Sequence, residues 1–196
     1  ADTENRYILT CKNTDKICIF TNKGQMHLLK VLDLPYGKFR DKGIPIDNLS
    51  NYDSSEENFI YIINLGAIIH SRLLFGTKTA MLKMVDGSEF DVAKRTTAST
   101  KLNEDDELLI VHAMTGEETV VMQSEKEMFL RIEASTIPEK KKGAVGVRGM
   151  KLGAGDALAA IYLLNAEDVV NIEVKGKEVA LNRLRTAGRD TKGNKR

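Results

Sequence analysis

The sequence predicts an all-β fold, a β-propeller or β-pinwheel of about four four-stranded blades, and three observations carry the prediction. Apolar strands recur at even steps: "FIYIINL" starts at Phe59, "LLIVHAM" at Leu108 and "ALAAIYLL" at Ala157, each 49 residues after the last. Hairpins of one design recur four times, and so does a basic, glycine-containing segment. A period of ~40–50 residues with four strands per unit is the mark of a propeller, each small sheet forming one blade. Solenoids of helices at a similar period are excluded by the hairpin turns and by the scarcity of helical periodicity. The chain has 196 residues and is 42% hydrophobic, enough for one substantial core or several small ones built from repeats.

The elements follow in order. "KICIFTNKGQMHLLKVLDLP" reads as a strand, a turn at Asn22-Lys23-Gly24 and a second strand ending at Pro35. The plan returns as "SRLLFGTKTAMLKMV", "ETVVMQSEKEMFLRIEASTIP" and "DVVNIEVKGKEVALNRLR". Lys23-Gly24 and Lys175-Gly176 mark tight turns, where glycine accepts positive φ without steric cost. β-Branched and aromatic residues make the first two recurring apolar segments strands. "ALAAIYLL" suits a helix equally well by composition, and its place in the series decides for strand. Between hairpin and closing strand lie "GKFRDKGIPIDNL", "AKRTTASTKL", "KKKGAVGVRGMKL" and "TAGRDTKGNKR". Gly43, Gly146 and Gly193 hold one repeat position, so the basic ending is the same segment of a fourth unit. The whole chain, 1–196, is read as one pinwheel with blades at about 15–65, 66–115, 116–165 and 166–196. A strand at 6–12, beginning "RYILTC", resembles a closing strand and either completes the fourth blade or leaves it open.

Composition narrows the function. The longest apolar stretch, "FIYIINLGAII", is about half of the ~20 residues a membrane helix needs. No membrane span and no secretion signal are expected, and a cytoplasmic location follows. Cys11 and Cys18 read as a reduced, structural pair. His27, His70 and His112 have no ligand spacing, so no metal and no cofactor are expected in this domain. The formal charge of +1 hides local asymmetry: Glu104 to Glu107 is an unbroken acidic run, whereas from Arg183 to Arg196 six bases face only Asp190, a local charge of +5. Such asymmetry points to oriented binding of a polyanion.

Rival chemistry is thin. "GAVGVRGMKLGAGD" lacks the Gly-Lys-Ser/Thr and the strand-to-helix context of a phosphate loop, and "FGTKTA" around Lys78 fails the same test. The acidic run reads as a solvated turn before a strand. Met26, Met81 and Met128 read as core filling, and Tyr7, Tyr61 and Tyr162 as structural. No nucleophile with a base, carboxylate pair in a pocket or metal cluster is present, so no catalysis is expected of this chain by itself.

"IFTNKGQMHLLKVLDLP" with "RDKGIPIDNL", and "GAVGVRGMKL" with "GAGDAL", resemble the blades of a known family: the C-terminal β-pinwheel domain of bacterial type IIA topoisomerase A subunits, in DNA gyrase and topoisomerase IV. The resemblance covers about residues 6–196 and rests on four imperfect copies. It implies a non-catalytic domain that binds and bends or wraps double-stranded DNA and so controls its topology. It also implies a parent enzyme that is an ATP-hydrolysing type II topoisomerase, in which the partners are the ATPase B subunit, together with the breakage-reunion domain that precedes the pinwheel. The family's gyrase box, a run of glutamine or basic residues followed by Gly-Gly-Lys-Gly, is absent. That departure turns the resemblance toward topoisomerase IV or a gyrase-like paralogue.

Duplex DNA carries one phosphate charge per ~1.7 Å of axis, so bases repeated at blade spacing can follow it without reading sequence. The candidate contacts are Lys38, Arg40 and Lys42 in the first segment and Lys94, Arg95 and Lys101 in the second. Lys140, Lys141, Lys142, Arg148 and Lys151 follow in the third, and Arg183, Arg185, Arg189, Lys192, Lys195 and Arg196 in the last. Neighbouring glycines are expected to let backbone N–H groups approach phosphate oxygens. The alternative is a propeller that serves as a protein-interaction platform without DNA binding.

Overall fold

The computed structural model describes residues 6–38 and 40–196. The fold is all-β. Its strands are β1 (Lys16–Thr21), β2 (Gln25–Lys30), β3 (Phe59–Asn64), β4 (Arg72–Thr77), β5 (Met81–Asp86), β6 (Thr96–Ala98) and β7 (Leu108–Met114). They continue with β8 (Thr119–Ser124), β9 (Met128–Glu133), β10 (Val147–Arg148), β11 (Leu158–Leu164), β12 (Asn171–Val174), β13 (Lys177–Ala180) and β14 (Asn194–Lys195). They form three four-stranded antiparallel sheets, ordered β3-β1-β2-β6, β7-β4-β5-β10 and β11-β8-β9-β14, and a two-stranded β12-β13 sheet. The recurring apolar strands stand at one end of each sheet, and β3 touches β7 as β7 touches β11. They are therefore the inner strands of consecutive blades. β6, β10 and β14, at the opposite ends of the sheets, are the outer strands.

The outer strand of each sheet comes from the following repeat. β2 pairs with β6 (Gln25↔Ala98), β5 with β10 (Met81↔Arg148) and β9 with β14 (Met128↔Lys195). The sheets thus interleave across the boundaries drawn from the repeats, because the second, third and fourth basic segments are each hydrogen-bonded into the blade before their own.

Hairpin strands alternate their side chains between two packed faces. Leu73 and Phe75 of β4 join Phe20, Met26 and Phe90 in the core between the first two blades. Leu74 and Leu82 face the other way, with Val120, Met122, Leu130 and Leu158. Both faces being covered explains why "LLFGT" is apolar without alternation: burying one such side chain contributes roughly 1.5–3 kcal/mol on either face. Gly76 sits at the closest approach, where a Cβ would lie 2.5 Å from Ile161.

Three hairpins turn in one way. Gly24, Ala80 and Glu127 donate their N–H groups to Thr21, Thr77 and Ser124 at 3.2, 3.0 and 3.0 Å, and all three have positive φ. Only the first uses the residue that takes this conformation without cost. The Lys175-Gly176 turn places both residues at positive φ, as a two-residue turn of the primed type requires.

The structure departs from expectation in two places. "FIYIINLGAII" stops being a strand at Asn64, whose side chain accepts the Gly66 N–H at 2.9 Å and caps the helical turn α1 (Leu65–Ile68). No strand forms at 6–12. Tyr7 packs edge-on against Phe59 and Arg6 lies 5.4 Å from the same ring. The segment therefore lies beside the first blade, and the fourth keeps two strands. Its turn still follows the repeat: Lys12 N–H donates to Asp15 at 2.7 Å, as Asn165 N–H does to Asp168. No helix among the described residues is long and apolar enough to cross a membrane.

Candidate nucleic-acid interface

The outer strands are short, because each is one or two ladder steps between loops. Their flanks carry the bases. Lys94 and Arg95 lead into β6 and Lys101 follows it; all three are exposed. Around β10, Lys140, Lys141, Arg148 and Lys151 are exposed and Lys142 is half-buried. Around β14, Arg183, Arg185, Lys192, Lys195 and Arg196 are exposed and Arg189 is half-buried. Arg148 and Lys195 hold equivalent positions in the ladder, each opposite the first residue of the neighbouring hairpin strand. Lys38, Arg40 and Lys42 are exposed but lie in a segment that pairs with no sheet among the described residues. The structure therefore gathers the second, third and fourth sets on outer strands and leaves the first set apart.

Four of these bases are engaged within the chain, Arg95 by a long hydrogen bond of 3.5 Å to the Leu49 carbonyl oxygen. Arg189 donates to the carbonyl oxygens of Thr136 at 3.2 Å and of Arg148 at 2.9 Å, fastening its loop to the neighbouring crossing. Arg148 forms a two-pronged ion pair with Asp190. That hydrogen bond holds the Asp190 carboxyl below the usual carboxylate range and raises the guanidinium. Lys142 donates its ammonium to the Glu89 carbonyl at 3.1 Å, and its backbone N–H donates to the Glu89 carboxylate. By contrast, Arg183, Arg185 and Arg196 line a cavity of about 190 Å3 beside Phe129 and Asn194, with no acid in its wall.

Two of the glycines have a role in the fold itself. Gly146 has φ of +110°, and a Cβ there would lie 2.6 Å from the Leu82 carbonyl oxygen. At the equivalent Gly193 a Cβ would lie 2.8 Å from the Phe129 carbonyl oxygen. β10 and β14 can lie against their hairpins only because that side chain is missing, whereas β6 carries Thr96 at the equivalent place.

The acidic run is more ordered than a solvated turn. Asp106 is buried and accepts the Thr79 N–H at 3.1 Å and its hydroxyl at 2.5 Å, clasping the second hairpin. Glu107 accepts from Lys23 at 3.0 Å and Lys78 at 2.6 Å, two lysines on the turns of adjacent blades. Those two hydrogen bonds lower its carboxyl. Part of the acidity is thereby neutralised within the blade edge.

Three residues that the sequence does not single out hold the crossings in place. His27 contacts Thr96 of β6 through Nδ1 at 2.9 Å and Glu57 through Nε2. Lys83 of β5, 1% exposed, donates to the carbonyls of Lys141, Lys142 and Ala144 at 3.1, 3.1 and 2.6 Å. Burial pulls its ammonium down to about 8, with Glu89 acting in the opposite sense. Arg131 of β9 donates to Asn182 at 2.8 Å, Leu184 at 3.0 Å and the Thr119 hydroxyl at 2.9 Å. A lone polar residue inside an apolar hairpin strand, as in "MLKMV", is the signal that could have found them.

Comparison with known proteins bears on this surface. The model of the DNA gyrase C-terminal domain, a β-propeller, matches residues 71–113 and 118–165, the second and third repeats. The DNA gyrase A protein of Lawsonia intracellularis is 29% identical over 194 residues, covering 94% of this chain and 23% of that protein. The corresponding protein of Staphylococcus epidermidis is 29% identical, covering 95% of this chain and 22% of its own length. The chain thus spans less than a quarter of these relatives. Among solved structures, the C-terminal domain of DNA topoisomerase IV matches with a TM-score of 0.86 at 24% identity, over 96% of this chain and 60% of that one. The Escherichia coli ParC C-terminal domain matches at 0.80 and 14% identity, over 96% and 79%. The DNA gyrase A C-terminal domain matches at 0.67 and 19%, over 94% and 60%.

Proposed function

We propose that this chain is a member of the family of DNA gyrase and topoisomerase IV C-terminal domains, and that it binds duplex DNA along its outer strands and bends or wraps it without reading sequence. One observation carries the reading: three consecutive outer strands are flanked by exposed lysine and arginine, at a repeat that a phosphate backbone can follow. The domain itself is non-catalytic. In the parent bacterial enzyme, an ATP-hydrolysing type II topoisomerase of the cytoplasm, it acts beside the breakage-reunion domain and the ATPase B subunit.

The intramolecular bonds of Arg148 and Arg189 shift the emphasis among the candidates. Lys192, Lys195 and the cavity arginines Arg183, Arg185 and Arg196 are the contacts of the last crossing, and Arg189 shapes its backbone. Each phosphate contact releases condensed counterion, so log affinity falls with log salt at about −0.9 per contact. Titration of unrelated labelled duplexes at several salt concentrations tests the reading. Similar affinities with a steep common slope support it. Binding that ignores salt, or no binding by the folded chain, overturns it and favours a protein-interaction platform.

A further inference from the structure

Resting on that DNA reading, we propose that Lys83 is a positioning residue of the interface: its buried ammonium gathers three carbonyls and so fixes the backbone that presents Lys140 and Lys141. Lys83 cannot touch a phosphate itself, being 1% exposed. Its Nζ binds the carbonyls of Lys141, Lys142 and Ala144 and lies 5.4 Å from the Phe75 ring centroid. On either side of this cradle the backbone is tied to β5: Met84 donates to Pro138 and accepts from Lys140, and Gly149 donates to Ala80. Between Lys140 and the β10 ladder at Val147 and Arg148, the loop is fastened by this ammonium and by the bonds of Lys142 to Glu89.

The fold alone does not require a charge here. By its distance from the hairpin turn, Lys83 corresponds to Leu130 in the third blade, which is 2% exposed and part of the core. A buried charge costs several kcal/mol that a leucine would not, so the lysine brings something else. What it brings is three carbonyls turned inward beneath a run of three lysines, so that the backbone carrying that run is fixed. Glu89, which accepts the Lys142 N–H, is the acid facing this cluster.

The test is a double-mutant cycle on the whole chain, with duplex affinity and its salt slope as readouts. Lys140→Gln/Lys141→Gln sets the scale, a flattening of up to about two units. Lys83→Met is expected to weaken binding and flatten the slope by a comparable amount while the circular dichroism spectrum stays all-β. Adding it to the Lys140→Gln/Lys141→Gln variant is expected to change little further. Lys83→Arg, which keeps a charged donor, is expected to recover most of the affinity. A folded Lys83→Met with wild-type affinity and slope, or with an effect fully additive to the double variant, overturns the proposal and leaves DNA binding standing. Should Lys83→Met not fold, Lys83→Gln enters the same cycle with the same two outcomes. Failure of the wild-type chain to bind any duplex removes both readings, and that control is measured first.

Discussion

Of the three crossings that carry the chain to the outer edge of a preceding blade, the last two, residues 138–151 and residues 182–196, are anchored by different cations. The first is held by Lys83, wholly buried, through three carbonyls. The second is held by Arg131, half-buried, through two carbonyls and the Thr119 hydroxyl. Both solve one problem, since a crossing loop has carbonyls with no ladder partner and a donor from the hairpin beneath must satisfy them. The difference lies in what the anchor can become. Arginine keeps its charge and its fork at any ordinary pH, whereas a lysine taken out of water can lose its proton. One crossing therefore sits on a fixed anchor and the other on a titratable one.

The largest effect is expected from unseating a crossing altogether. Gly146→Ala adds a Cβ 2.6 Å from the Leu82 carbonyl at a φ of +110°. It should cost about 3 kcal/mol or more in urea unfolding. Gly193→Ala meets the Phe129 carbonyl at 2.8 Å with no positive φ to add, and should cost less, about 1–3 kcal/mol. Equal costs would mean that backbone conformation plays no part in the first crossing.

The titratable anchor gives the next effect. The Lys83 ammonium holds its proton only up to about 8 in the fold, against 10.5 as its ordinary value. Between those pH values the unfolded chain binds the extra proton, so stability should rise with pH across that window. The slope should reach at most about 1.4 kcal/mol per pH unit from this group. Lys83→Met should lose that rise, and Arg131→Met should keep it. Unfolding midpoints from pH 7 to 10 in the three proteins decide the matter, and parallel curves for wild type and Lys83→Met would refute it.

A smaller effect should run opposite to intuition. Asp190 pairs with Arg148 on the outer strand, so Asp190→Asn removes an acid and frees a base. Duplex affinity should rise two- to fivefold and the salt slope should steepen by about one unit. Lower affinity would mean that the pair shapes the crossing more than it masks charge. The least effect is expected at the hairpin turns. Glu127 has φ of +65° where the first hairpin uses Gly24, and Glu127→Gly should stabilise by up to about 1 kcal/mol in thermal unfolding. Loss of the Lys175–Glu127 ion pair offsets little of this gain, because the lysine is 79% exposed.

The repeat was legible because it is written in residues that bury. "LLIVHAM" and the four hairpins announce themselves by β-branched and aromatic content, and their strands fall where the repeat places them. The outer strands were not legible as strands. β10 and β14 have two residues each, and "VR" and "NK" are too short to show alternation or an apolar run. Nothing local says that they pair with the preceding blade, since that follows from how far a loop reaches. The candidate bases fared likewise. Lys192 and Lys195 are exposed as a charged segment predicts, but the ties of Arg189 to two carbonyls depend on a neighbouring crossing 41 and 53 residues away in sequence. Asp106 misleads because a run of four acids looks solvated, although one of the four turns inward to clasp Thr79.

The outer strands also set a schedule for synthesis. Residue 25 must wait for residue 98, residue 81 for residue 148 and residue 128 for residue 195 before their ladders can close. A ribosome adds about 5–20 residues per second, so each hairpin emerges with one edge unpaired for on the order of several seconds. An open β-edge is a template for the wrong partner, and neighbouring repeats of like design are the nearest wrong partners available. Closure then runs in one direction along the nascent chain, one blade behind the newest. A pause in translation between a hairpin and its later outer strand would lengthen that vulnerable interval, whereas a pause just after the strand would not.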